Sequence, residues 1–183
     1  MKVKGSAVMP VREFVKTKHP DRYDEWFNAL PEESQEIVNE IMVSNWYPVD
    51  PAMTYTTKAV VDVLYNGDMK VAYDLGIFSA DYSLKGIYKV FVRLGRPSYI
   101  VKKASAILPT YYQPATIELG EVTSKSAVVR FTEFEQLNEY IEPGIHGWMV
   151  RALEICGAKN ISVKISKSFV RGDDLTEFIL NWE

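Results

Sequence analysis

The hydrophobic period of this chain first turns from helical to alternating near residue 113, and that change decides the fold class. Before it, apolar residues recur at helical spacing; after it, they alternate with polar ones, as on half-buried strands. Ala115-Thr116-Ile117-Glu118-Leu119-Gly120-Glu121-Val122 alternates, and after the turn Thr123 to Ser126 the run Ala127-Val128-Val129-Arg130-Phe131 reads as its hairpin partner. Ile161 to Ile165 alternates again, and Glu177 to Trp182 follows the turn Arg171-Gly172-Asp173-Asp174. A long helix from about Glu139 to Cys156, stopped by Gly157, separates the two pairs. The expected order is therefore β-β-α-β-β behind a helical half. That is an α+β domain with an antiparallel sheet, in which the intervening helix permits either order of the hairpins.

The helical half is punctuated by turn residues. Val11 to Val15 reads as a short helix, Lys16 to Asp21 as a loop around Pro20, and Asp24 to Phe27 as a helical turn. Pro31-Glu32-Glu33-Ser34 opens a helix, because proline suits a helix start and acids favour the positive end of its dipole. Trp46-Tyr47-Pro48 ends that helix. From Asp50 to about Tyr112 the pattern is helical throughout, with breaks at Asn66-Gly67-Asp68 and Gly95-Arg96-Pro97. The stripe Ile87, Val90, Phe91 and Leu94 precedes the second break, and Tyr99, Ile100, Ala104, Ile107 and Leu108 follow it. One domain over 1–183 is expected, mainly helical over 1–113 and sheet-forming with one long helix over 114–183.

Charge and cysteine usage remove several functions. The net charge of -3 gives no basic footprint for nucleic acid, and Arg93, Arg96, Lys102 and Lys103 read as a solvated helix face. Two histidines and one cysteine are too few for a Cys/His zinc site. The single Cys156 allows no intramolecular disulfide and fits a reducing compartment. No stretch has the roughly 20 apolar residues of a membrane span, and none has the pattern of a signal peptide. A cytoplasmic protein is expected.

Few residues carry recognisable chemistry. His146, between Gly144 and Gly147 and beside Trp148, could ligate a metal, move a proton or respond to pH; a partly buried histidine satisfied by backbone is the plainer reading. Cys156 lies at the wrong end of its helix for a reactive thiol. Asp173 follows Gly172 and reads as a turn stabiliser, without the spaced ligands of a calcium loop. No Gly-x-Ser-x-Gly elbow, phosphate loop or dinucleotide fingerprint occurs, and Gly144-x-x-Gly147 reads as close helix packing. The aromatics Tyr88, Phe91, Tyr99, Tyr111 and Tyr112, with His146 and Trp148, are the candidate walls of an apolar pocket; plain core packing is the alternative.

Several of these residues form a recognisable pattern. Gly144-Ile145-His146-Gly147-Trp148, Gly157-Ala158-Lys159-Asn160, the strand Ile161 to Ile165, Arg171-Gly172-Asp173 and Glu177-Phe178 together resemble the end of the 4-vinyl-reductase-like small-molecule-binding domains. Those domains are related in fold to the heme-dependent nitric oxide and oxygen sensors. The passage Gly86 to Tyr112, with Tyr88, Phe91, Gly95 and Pro97 ahead of a long helix, resembles that wider fold as well. Two departures bear on function. Where many 4-vinyl-reductase-like domains carry cysteines in the last two strands, this chain has Ser168 and Thr176, whose hydroxyls hold soft metals poorly. The helix Ser98 to Leu108 lacks the histidine of the heme sensors, and no Tyr-x-Ser-x-Arg occurs, so heme of that type is not expected. The resemblance implies a non-enzymatic ligand-binding or sensory module for a small apolar or amphipathic molecule. It would act through a signalling partner protein or a homodimer, without nucleic acid, membrane or metal. The alternatives are a ligand-free interaction or dimerisation domain, and a heme or metal protein using His146.

Overall fold

Apolar residues of the N-terminal segment recur at positions 8, 11, 14 and 15, and the helix they imply is longer than the sequence suggests. The computed structural model describes residues 1–84 and 96–183, and there α1 runs over Gly5–Lys18 with Val8, Val11, Phe14 and Val15 buried. Pro10 lies inside it, so the helix forgoes one hydrogen bond rather than stopping. The segment read as a loop from Lys16 is helical to Lys18, followed by a single 3-10 turn, Pro20–Arg22. Strand β1, Lys2–Lys4, precedes α1.

Short helices α2, Tyr23–Asn28, and α3, Glu32–Glu40, come next. Trp26 of α2 is fully buried and donates its indole N–H to the Thr56 carbonyl, which settles its one polar atom. Trp46–Pro48 does more than end α3: it is strand β2, paired with β1 through Val3 and Tyr47. The α4 run then comprises three contiguous segments, Asp50–Thr54, Tyr55–Ala59 and Val60–Leu64, the outer two wound as π-helix. Asn66 and Gly67, both at positive φ, break it from α5, Lys70–Ser83. The stripe Ile87, Val90, Phe91 and Leu94 lies outside the described residues. Helix α6 spans Pro97–Ile107. Tyr112–Gln113, the expected end of the helical half, is strand β3 and pairs with β1, so a three-stranded sheet β2-β1-β3 stands within that half.

The second half follows the alternation closely. Strands β4, Thr116–Val122, and β5, Ser126–Glu133, form the first hairpin. Helix α7 covers Glu142–Ile155, and Gly157 at φ 88 turns the chain behind it. Strands β6, Ser162–Lys167, and β7, Thr176–Asn181, complete a fully antiparallel sheet of order β4-β5-β7-β6. Its buried face presents Ala127, Val129 and Phe131 of β5 and Phe178 and Leu180 of β7. Helix α6 lies against β4 and β5, α7 lies chiefly against α5, and one continuous core joins the helices to the sheet.

Candidate functional site

The meeting point of α5, α7 and the sheet is built by three glycines. A Cβ at Gly76 would collide with the Gly144 carbonyl, and one at Gly147 with the Tyr73 carbonyl, so the two helix backbones touch. Gly147 and Gly76 therefore do what close packing requires, whereas a Cβ at Gly144 would meet only the Ala72 carbonyl at 3.5 Å, an ordinary contact. Arg151 adds a cross-helix ion pair, its Nε 2.9 Å from Asp81 Oδ1.

The half-buried side chain of His146 lies beside this seam. Its ring meets Tyr73 edge-on at 5.1 Å between centroids and Phe178 at 6.3 Å. Burial holds its pKa below the usual 6.5, and a hydrogen bond with the Val163 backbone opposes that shift.

One turn away, at the start of α7, a buried polar cluster ties this helix to the last hairpin. Ser168 donates its hydroxyl to Glu142 Oε1 at 2.5 Å, and Thr176 donates to the same oxygen at 3.3 Å. Ser168 and Thr176 are wholly buried and Glu142 nearly so. Ser168 Oγ also accepts from the Val170 N–H and Thr176 Oγ1 from the Phe169 N–H. Asp173 accepts the Ser168 N–H at 2.7 Å, the turn role read from its place after Gly172. A second polar bridge links the halves: Gln136 Nε2 donates to Asp50 Oδ2 at 2.7 Å and Asn138 Nδ2 to Thr54 Oγ1 at 2.9 Å.

The five candidate pocket residues among the described residues have different surroundings. Tyr112 is buried against Phe134, ring centroids 4.9 Å apart, and burial pushes its hydroxyl pKa up. Tyr111 and Trp148 are half-buried. Tyr99 is 54% exposed with the Lys103 ammonium over its ring, which places it on the outer surface of α6. Tyr88 and Phe91 lie outside the described residues. His19 is bonded through Nε2 to the Tyr65 hydroxyl at 2.9 Å. Cys156 donates to the Ala152 carbonyl, and burial raises its pKa to about 11. Among the described residues no group of three or more His, Cys, Asp or Glu is placed to hold a metal ion, and no helix is long and apolar enough to cross a membrane.

Sequence reasoning missed Tyr73 and Glu142, and read Phe178 only as part of the last strand and its pattern. Nothing local marks Glu142 as more than a helix-opening acid, although its partners Ser168 and Thr176 stand out in the sequence for what they are not.

No protein-family model and no curated protein matches this chain. Solved structures do. An H-NOX protein from S. oneidensis in the Fe(II)NO ligation state aligns with a TM-score of 0.73 at 13% identity, covering 98% of this chain and 99% of that one. An Fe(II) unliganded H-NOX protein from K. algicida aligns at 0.69 and 15%, covering 98% and 96%. The chain has the H-NOX fold. An IWP-051-bound H-NOX from Shewanella woodyi in the Fe(II)CO state also aligns, at 0.70 and 8% identity, covering 97% of this chain and 93% of that one. At these identities the likeness concerns architecture alone, and function has to be argued from the site.

Proposed function

We propose that this chain is a non-catalytic sensory module that takes a small apolar or amphipathic molecule between its helical half and its four-stranded sheet. The observation that carries the reading is the alignment of 98% of the chain with an H-NOX protein in a ligand-bound state. A further neighbour of the same fold is described as IWP-051-bound. The 4-vinyl-reductase-like pattern from Gly144 to Trp182 supports the same reading. On this reading residues 1–183 act as one cytoplasmic domain. Tyr111, Tyr112, His146 and Trp148 are the described aromatics nearest in kind to pocket walls, with Tyr88 and Phe91 to be tested beside them. Signalling requires a ligand that prefers one of two states, read out by a partner protein or across a homodimer.

Native mass spectrometry beside a thermal-shift ligand screen tests this. A ligand at 100 times its dissociation constant stabilises by about 2.7 kcal/mol, a midpoint rise of roughly 5 to 10 °C for a chain of this size. A mass excess under native conditions, or such a shift, supports the module. A clean apo mass at twice the chain mass, with no shift, passes the reading to a ligand-free dimerisation domain. The packing of α5 on α7 and the engagement of both Ser168 and Thr176 by Glu142 favour that second reading.

A further inference from the structure

We propose that this chain carries no heme, and that any ligand of its H-NOX fold is metal-free. The inference rests on the sensory-module reading but is tested separately from it.

Heme makes two demands on a protein. Its iron needs an axial imidazole, thiolate or phenolate, and its two propionates need cations or several strong donors. The histidines, the thiol and the half-buried arginines among the described residues meet neither. Helix α6, lying over β4 and β5, has the sequence Pro-Ser-Tyr-Ile-Val-Lys-Lys-Ala-Ser-Ala-Ile, with no imidazole or thiol. The chain's only histidines are His19 and His146. His19 has Nε2 committed to Tyr65 and its ring among those of Phe14 and Tyr65. His146 has rings of Tyr73 and Phe178 beside it and a hydrogen bond to the Val163 backbone. Cys156, the one thiol, lies at the end of α7, is bonded to a carbonyl, and is kept protonated by burial. Burial likewise favours the neutral phenol at Tyr112, Tyr73 and Tyr65 over the phenolate that iron needs.

The half-buried arginines are committed as well. The half-buried arginines among the described residues are Arg12, Arg22, Arg130 and Arg151. Each already holds a carboxylate: Glu13, Glu25, Glu177, and Asp81 with Glu154, respectively. The seam between α5 and α7 is closed by backbone contact at Gly76, Gly144 and Gly147, so those two helices leave no slot for a flat macrocycle between them. The pin of α7 to the last hairpin is made of oxygens that bond to one another, which leaves no soft ligand for iron.

The test uses the full chain, expressed with δ-aminolevulinate and iron and, separately, mixed with one equivalent of hemin before gel filtration. The expected result is no Soret band in either eluted protein and a thermal midpoint that hemin does not move. Substoichiometric colour that gel filtration removes is surface adsorption and agrees with the proposal. A one-to-one Soret band that survives filtration and raises the midpoint overturns it, whichever residue holds the iron. Loss of that band in His146→Phe, and not in His19→Phe, would then name the ligand. A metal-free small molecule found by mass spectrometry would leave the sensory reading standing whatever the hemin arm shows. A hemin-positive result would remove this proposal alone.

Discussion

Helices α6 and α7 both belong to the sheet-bearing side of the core, and the described contacts that hold them differ in kind. Helix α7 is fastened at three levels: backbone to backbone with α5 at Gly144 and Gly147, by the Arg151–Asp81 ion pair, and by the buried Glu142 carboxylate bonded to Ser168 and Thr176. Helix α6 inserts Val101 into the core and turns Tyr99, Lys102 and Lys103 to solvent. A module that admits a ligand needs one wall that is fixed and one that can yield at low cost, because flexible elements come from the weakly buried end of a structure. On the proposed reading, α7 would supply the fixed wall of a ligand site.

Substitutions can break that contrast or sharpen it. Gly147→Val drives a side chain into the Tyr73 carbonyl, which is backbone and cannot swing aside, so a loss of about 3 kcal/mol in urea unfolding is expected. A loss under about 0.5 kcal/mol would mean that the two helices do not touch in solution. Glu142→Ala strips two buried hydroxyls of their shared acceptor and should cost about 2 kcal/mol, with Glu142→Gln recovering part of it because an amide oxygen still accepts. Equal losses in the two variants would show that the cluster needs the carboxylate charge, and that neither the volume of the side chain nor a neutral acceptor oxygen replaces it.

The His146 effect is smaller and depends on pH. Burial keeps the folded pKa below 6.5, so the unfolded chain takes up its proton first as the solution is acidified. The contribution is fully present above pH 6.5 and is lost as pH falls towards the folded value. Thermal midpoints between about pH 7.5 and pH 5 should therefore fall less steeply in His146→Phe than in the parent protein. Parallel slopes would refute this. Tyr99→Ala, on the exposed side of α6, should change stability by less than about 0.5 kcal/mol. A larger loss would place α6 among the fixed elements.

What the sequence disclosed and what it hid follow from distance along the chain. The strands and helix of the second half were legible because alternation at Ile117 and Leu119, or Phe178 and Leu180, reports a buried sheet face locally. The break at Asn66-Gly67 was legible because both residues accept positive φ. The small sheet was hidden, since each strand has three residues or fewer and its partners lie far away: Val3 pairs with Tyr47 and Tyr112. The first helix is longer than its local pattern suggests because the packing of Val8, Val11 and Phe14, which offsets the cost of Pro10 inside it, is not visible in the sequence. At the site, Gly147 could be read as part of a packing device, whereas Gly76 could not. Glu142 meets Ser168 and Thr176 across 26 and 34 residues, and no local pattern encodes such a meeting.

The pairing of β1 has a consequence for the order of events during synthesis. Val3 is the middle of a three-stranded sheet, and one of its neighbours, Tyr112, is translated 109 positions later (112 − 3). At about 5 to 20 residues per second, that partner follows by roughly 5 to 20 seconds. During that interval the valine, which ends wholly buried, has at most one of its two strand neighbours available. A ribosome pause placed before Tyr112 would therefore prolong the exposure of the first strand, while one placed after Trp182 would not.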